Sequence, residues 1–185
     1  MVTRKKKSKT VFILGGGAAL GSHQAGALRC LEERGIRPDA IVGSSIGVVN
    51  SCVYATGGAR LVEEAWSKFR SLPSIVTFSL RQNLLLGKSI FSQKKLHDRI
   101  ERSIDFPKIF EGPLDLEFIM INLSRGEAMI RGNRTEKSWE DFRTVSRCGY
   151  AIPILFPPVR HDGDYWVDGA FAWNIPLSHA VKKGA

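Results

Sequence analysis

The first 58 residues alternate twice between a short apolar run, a glycine-rich turn and a helical pattern. Thr10 to Leu14 is β-branched and apolar, and it stops at Gly15-Gly16-Gly17. From Ser22 onward Ala25, Leu28, Cys30 and Leu31 recur at helical spacing, with Gly35 placed to end that helix. Ala40-Ile41-Val42 is a second apolar run, entering Gly43-Ser44-Ser45-Ile46-Gly47, and Val48 to Ala55 then reads as helix up to Gly57-Gly58. Such alternation implies a parallel sheet with helices packed on it. A right-handed crossover brings both glycine turns to one edge, beyond the carboxyl ends of the strands, where open α/β sheets hold ligands. The expected fold class is α/β, with a mostly parallel central sheet flanked by helices.

The middle of the chain carries weaker signals. Ala59 to Arg70 has an amphipathic helical pattern, and Ser71 to Phe91 has no clear period and reads as a loop or lid. Leu96, Ile100 and Ile104 lie four apart behind Ser92, a suitable helix cap. Leu116 to Leu123, Ser124-Arg125-Gly126 and Glu127 to Arg131 read as a hairpin. After Phe156-Pro157-Pro158, Asp162-Gly163 marks a tight turn and Tyr165-Trp166-Val167 a strand ending at Asp168-Gly169.

Composition narrows the class further. At 185 residues, 43% hydrophobic and 24% charged, the chain suits one globular domain rather than a disordered or fibrous protein. No apolar run nears the roughly 20 residues that span a bilayer. Of the net charge of +9, five positive charges come from Arg4, Lys5, Lys6, Lys7 and Lys9. Residues 1–9 are therefore expected to form a basic, disordered arm and residues 10–185 the domain. Such an arm is either a solvated end or a contact for anionic membrane headgroups; no nucleic-acid partner is expected. The apolar stretch after it, Val11 to Leu14, is too short for a secretory signal, so a cytoplasmic protein is expected, with peripheral membrane contact as one of the two readings of its arm. Cys30, Cys52 and Cys148 show no metal-ligand spacing, and Cys30 and Cys52 read as buried thiols within helices. The four histidines form no cluster; neither metal nor cofactor is expected.

Three features can carry chemistry. Gly43-Ser44-Ser45-Ile46-Gly47 fits the GxSxG elbow, with Ser45 in the nucleophile position between a strand and a helix. Gly15 to Gly21 opens a helix, where free amides can bind an anion or a developing oxyanion. The competing dinucleotide site fails because GxGxxG requires glycine at Leu20, although Asp39 lies at a tempting distance for a ribose contact. Asp168-Gly169-Ala170 closes a strand, and a serine nucleophile needs a base. A Ser, Asp, His order is available through His179, a position that also suits a surface helix.

The run VFILGGGAALGSHQAGALRCLEERGIRPDAIVGSSIGVVNS resembles the N-terminal half of the patatin-like phospholipase family. ILFPPVRHDGDYWVDGAFAWNIPLSHA resembles the stretch around that family's Asp-Gly-Gly/Ala motif. The resemblance implies a Ser45–Asp168 dyad without histidine, acting on a lipid or acyl-ester substrate, with the amides around Gly16, Gly17 and Ala18 as oxyanion hole. Ala18 stands where the family usually has glycine; it keeps the N–H but disfavours positive φ. The family domain continues past the Asp-Gly motif, so the resemblance also implies a domain incomplete at its C-terminus. Two other readings stay open: an esterase or thioesterase with a His-containing triad, and a non-catalytic relative.

Overall fold

The computed structural model describes residues 8–68, 97–98, 100–153 and 156–185. Arm residues 4–7, the segment Ser71 to Phe91, and Ser92 and Leu96 of the expected helix lie outside the described residues. Strand β1 (Val11–Leu14) passes through a 3-10 turn (Ala18–Leu20) into helix α1 (Gly21–Glu33). Strand β2 (Ala40–Gly43) runs into helix α2 (Ile46–Ser67). There follow helix α3 (Phe106–Glu111), strands β3 (Asp115–Asn122) and β4 (Glu127–Gly132), and helix α4 (Trp139–Gly149). Strands β5 (Val159–His161) and β6 (Asp164–Asp168) and helix α5 (Leu177–Lys183) complete the order. Among the described residues no helix is long and apolar enough to cross a membrane.

Among the described residues the sheet has six strands, and β1, β2 and β3 run parallel, as the βαβ alternation implies. Every residue of β2 is buried, as expected for a parallel strand covered on both faces. The β4, β5 and β6 pairings are antiparallel. The pairing along β3 positions the rest of the molecule. β2 pairs with Asp115 to Phe118, β6 with Met120 to Asn122, and β4 with Glu117 to Asn122. Because β4 overlaps both partners, β2 and β6 must share the opposite edge of β3, end to end. Gly43 lies across from Phe118 and Asp168 across from Met120. The ends of two strands distant in sequence thus meet at one point of the sheet.

Local chemistry sets the element boundaries. Helix α1 stops in a left-handed Gly35 (φ 71°), where the Gly35 and Ile36 amides bond the Glu32 and Leu31 carbonyls, each at 2.9 Å. Helix α2 carries the break expected at Gly57-Gly58, whose dihedrals are non-helical. The Glu32 carboxylate then receives the Ala59 amide at 2.9 Å and restarts the helix. Asp162 (φ 51°) and Gly163 (φ 83°) both take positive φ between His161 and Asp164, the two-residue hairpin turn that the Asp-Gly pair signals.

Helix α4 was not anticipated from the sequence. Its cap is local, with Ser138 Oγ accepting the Asp141 amide at 3.1 Å. It buries Phe142 against Phe118 of β3, ring centroids 5.5 Å apart, and edge-on to Phe106 of α3 at 6.1 Å. Each such ring contributes roughly 1.5–3 kcal/mol by burial, so α3 and α4 are bound firmly to the sheet. One expectation is corrected: Cys30 is exposed, whereas Cys52 and Cys148 are buried. Helix α1 buries Gly21, Ala25 and Leu28; Cys30 stands two residues past Leu28, about 200° around the helix and on its outer face.

Candidate active site

The turn after β2 is strained at one residue. Ser45 takes φ 53° and ψ −125°, a conformation that costs a non-glycine residue of order 1–3 kcal/mol. The surroundings hold it there. The Ser44 amide bonds the Leu14 carbonyl and the Ser45 amide bonds the Gly149 carbonyl, both at 3.0 Å. A Cβ on Gly47 would stand 1.8 Å from the Leu14 carbonyl oxygen, so α2 approaches β1 this closely only with glycine there. The elbow therefore presses against the loop that follows β1.

Asp168 closes β6 with its amide bonded to the Ala151 carbonyl at 2.9 Å. The same chain reversal at the end of α4, Gly149 to Ala151, thus grips both the elbow and the end of β6. Gly169 is needed next, because a Cβ there would lie 2.4 Å from the Ile119 carbonyl carbon. Asp168 is 1% exposed. Its Oδ1 accepts the Ala170 amide at 2.8 Å, and its Oδ2 is buried without a hydrogen-bond partner among the described residues. Burial pushes the carboxyl above the ordinary carboxylate range, and the neighbouring Ser45 hydroxyl and the Ala170 amide pull it part of the way back. Ser45 thus lies beside the carboxylate, with no direct hydrogen bond to Oδ2 among the described residues. A serine beside a buried, under-solvated carboxylate is an arrangement suited to proton transfer.

The glycine loop faces this pair. The Cβ that Gly16 lacks would lie 2.8 Å from Ser45 Cβ and 3.1 Å from Ala170 Cβ. The three loop amides are not equivalent. Gly16 N–H already donates to Asn174 Oδ1 at 2.5 Å, whereas the Gly17 and Ala18 amides meet no acceptor among the described residues. Ala18 sits at φ 49°, the positive φ that its side chain disfavours. Asn174, Gly149 and Ala151 are contributors that motif reading misses. The latter two act through backbone carbonyls and leave no residue-type signal.

The histidines open to a triad bond elsewhere. His179 Nε2 lies 2.6 Å from Glu117 Oε2, and His161 Nε2 lies 3.4 Å from Glu136 Oε2. Asp39 receives the Thr10 amide at 2.8 Å, which splices the strand starts together and uses the carboxylate that a ribose would need. Glu136, His161 and Asp162 have ligand atoms within 4.8 Å of one another, at the end of β6 away from Asp168. The Arg131 guanidinium already pairs with both carboxylates of that group, Glu136 at 2.6 Å and Asp162 at 2.7 Å.

A family model described as patatin-like phospholipase matches residues 12–181. The chain belongs to that family. Among curated relatives, a patatin-like phospholipase domain-containing protein of Caenorhabditis elegans is 30% identical over 183 residues, covering 94% of this chain and 13% of the relative. Human patatin-like phospholipase domain-containing protein 6 is 27% identical over 177 residues, covering 94% of the chain and 12% of the relative. A lysophospholipase of Meyerozyma guilliermondii is 26% identical over 182 residues, with the same two coverages. The patatin-like chain therefore spans only about an eighth of the length of these relatives. Legionella pneumophila VipD shares its fold, with a TM-score of 0.59 at 14% identity, over 91% of this chain and 47% of that one.

Proposed function

We propose that this chain is a serine acyl hydrolase acting on lipid carboxylic esters, with Ser45 as nucleophile and Asp168 as base. Asp168 takes the hydroxyl proton as Ser45 Oγ attacks the ester carbonyl. The resulting oxyanion is received by loop amides, foremost those of Gly17 and Ala18. Collapse expels the alcohol, which leaves with the proton from Asp168, and the acyl group stays on Ser45. Water then attacks the acyl-enzyme, giving its proton to Asp168, and the free acid departs as that proton returns to Ser45.

The observation carrying this reading is the strained Ser45 elbow beside a buried Asp168 whose second oxygen has no partner. Strain of this kind persists where function requires it. The lipid part of the proposal rests on family membership and on the site's rim, where Leu20, Phe171, Trp173, Ile175 and Leu177 are all exposed. A concavity of about 570 Å³ lined by residues such as Thr56, Ile104, Phe106 and Trp139 includes neither Ser45 nor Asp168, and it has no part in this chemistry. The root of the basic arm is tied down, Lys9 N–H bonding the Gly184 carbonyl at 2.9 Å beside Lys182 and Lys183. The reading assigns that arm to anionic lipid surfaces.

Incubation with a fluorophosphonate tests the proposal. Labelling that vanishes in Ser45→Ala, together with release of fatty acid from phospholipid vesicles by the parent chain alone, supports it. Folded parent protein that takes no label and releases no acid refutes it, leaving the non-catalytic reading.

A further inference from the structure

We infer that Asn174 is a positioning residue that locks the glycine loop and the serine elbow to the segment carrying Asp168. The inference rests on the hydrolase reading above and goes beyond it by assigning a role to a residue outside the dyad and the oxyanion loop.

Three contacts converge on this one residue. Asn174 Oδ1 accepts Gly16 N–H at 2.5 Å, and Ser44 Oγ lies 3.0 Å from both Asn174 Oδ1 and the Asn174 carbonyl. The backbone N–H of Gly16 can only donate, so the atom it meets must be the side-chain oxygen, which fixes the amide's orientation. Asn174 follows Asp168 by six residues, through the 3-10 turn Gly169–Phe171. Its side chain therefore joins the loop after β1, the elbow after β2 and the turn after β6. These are the three segments from which nucleophile, base and oxyanion donors come.

Burial does not explain this placement, because Asn174 is an exposed residue whose amide would otherwise be solvated. There is also little slack. The Cβ that Gly16 lacks would lie 2.8 Å from Ser45 Cβ and 3.0 Å from Asn174 Oδ1, so loop, elbow and amide are in close mutual contact. Engaging the Gly16 amide has a second consequence. It holds the loop at Gly16 while the Gly17 and Ala18 amides remain free of acceptors among the described residues. Asn174 thus divides the loop into an anchoring amide and two that stay available. Displacing an oxyanion donor by about 1 Å costs roughly 100-fold in rate, because reacting groups must be held near their attack geometry.

The experiment compares the parent chain with N174A, S44A, S44A/N174A and S45A. It measures steady-state hydrolysis of p-nitrophenyl butyrate and thermal unfolding for each. N174A is expected to lower kcat by roughly 100-fold with KM within about three-fold of the parent. S44A, which removes one of the amide's two partners, lowers kcat by less. The double variant is no slower than N174A alone, because both changes break one shared clasp. A kcat for folded N174A within about three-fold of the parent overturns the inference, and so do losses that multiply in the double variant. If N174A does not fold, S44A decides alone: a lowered kcat at unchanged KM supports the clasp, and an unchanged kcat overturns it. S45A separates the two levels of argument, since turnover retained in S45A sinks the hydrolase reading itself rather than the role of Asn174.

Discussion

Replacing Asp168 by Asn exchanges a buried anion for a neutral side chain of nearly the same shape. The Asn Oδ1 can still accept the Ala170 amide, bonded at 2.8 Å in the parent. What disappears is the charge on Oδ2, which is buried without a partner. A buried group without a partner costs more when charged than when neutral, and the Asn Nδ2 that replaces Oδ2 stays a buried polar group. D168N is therefore expected to be more stable than the parent by about 1 kcal/mol, the low end of the 1–3 kcal/mol range, where the parent carboxyl is ionised. For a chain of this size that corresponds to a rise in Tm of roughly 2–4 °C. Turnover falls by about 10²–10⁴-fold with loss of the base. The pH dependence follows from the direction of the shift. Burial raises the folded-state pKa of Asp168 above its ordinary 3.8. The parent therefore bears the cost of the charge above the folded value and sheds it as pH falls and the carboxyl is protonated. The advantage of D168N should be full above the folded pKa and fade toward zero below about pH 3.8. Urea titrations of both proteins across that range measure it. A variant less stable than the parent above the folded pKa, or a stability difference that ignores pH, refutes the picture of an under-solvated carboxylate.

Three further outcomes are expected. G47A places a Cβ 1.8 Å from the Leu14 carbonyl oxygen; the clash is with backbone that cannot swing aside, and chemical denaturation should show a loss of more than about 3 kcal/mol or no folded protein. H161A and H179A should each keep ester turnover within a few-fold of the parent, since these histidines bond Glu136 and Glu117; a fall by orders of magnitude in kcat would restore the triad reading. Under native conditions a colorimetric disulfide reagent should titrate Cys30 alone. Burial raises the thiol pKa of Cys52 and pushes that of Cys148 up to about 12, so both react only after denaturation.

Features whose causes are local were legible in the sequence. The two apolar strands, the serine turn, the Gly35 stop, the Gly57-Gly58 break and the Asp162-Gly163 hairpin each follow from residues within a few positions of one another. Helix α4 carried a comparable signal, with Ser138 three residues before Asp141 and buried positions at Phe142, Val145, Ser146 and Gly149. Its buried face is built partly from serine and glycine, which blurs the hydrophobic period. Cys30 sits within an apolar run, but the helical phase set by Gly21, Ala25 and Leu28 turns it outward. The meeting of Ser45 and Asp168 had no local cause at all. It depends on β2 and β6 lying end to end along β3, a register set by long-range pairing. The family resemblance supplied that expectation where residue patterns could not. Asn174 illustrates the limit, since a lone asparagine in a turn gains meaning only when three separate segments arrive around it.

The reversal at Gly149 to Ala151 gives this architecture an unusual tolerance. Because one short stretch of backbone is hooked to both the Ser45 amide and the Asp168 amide, a shift of α4 carries the two residues along as passengers on the same mount. Repacking beneath that helix, for instance by trimming Phe142, should therefore loosen the molecule well before it separates hydroxyl from carboxylate. Harm to the chemistry should come instead from changes that bend the mount itself.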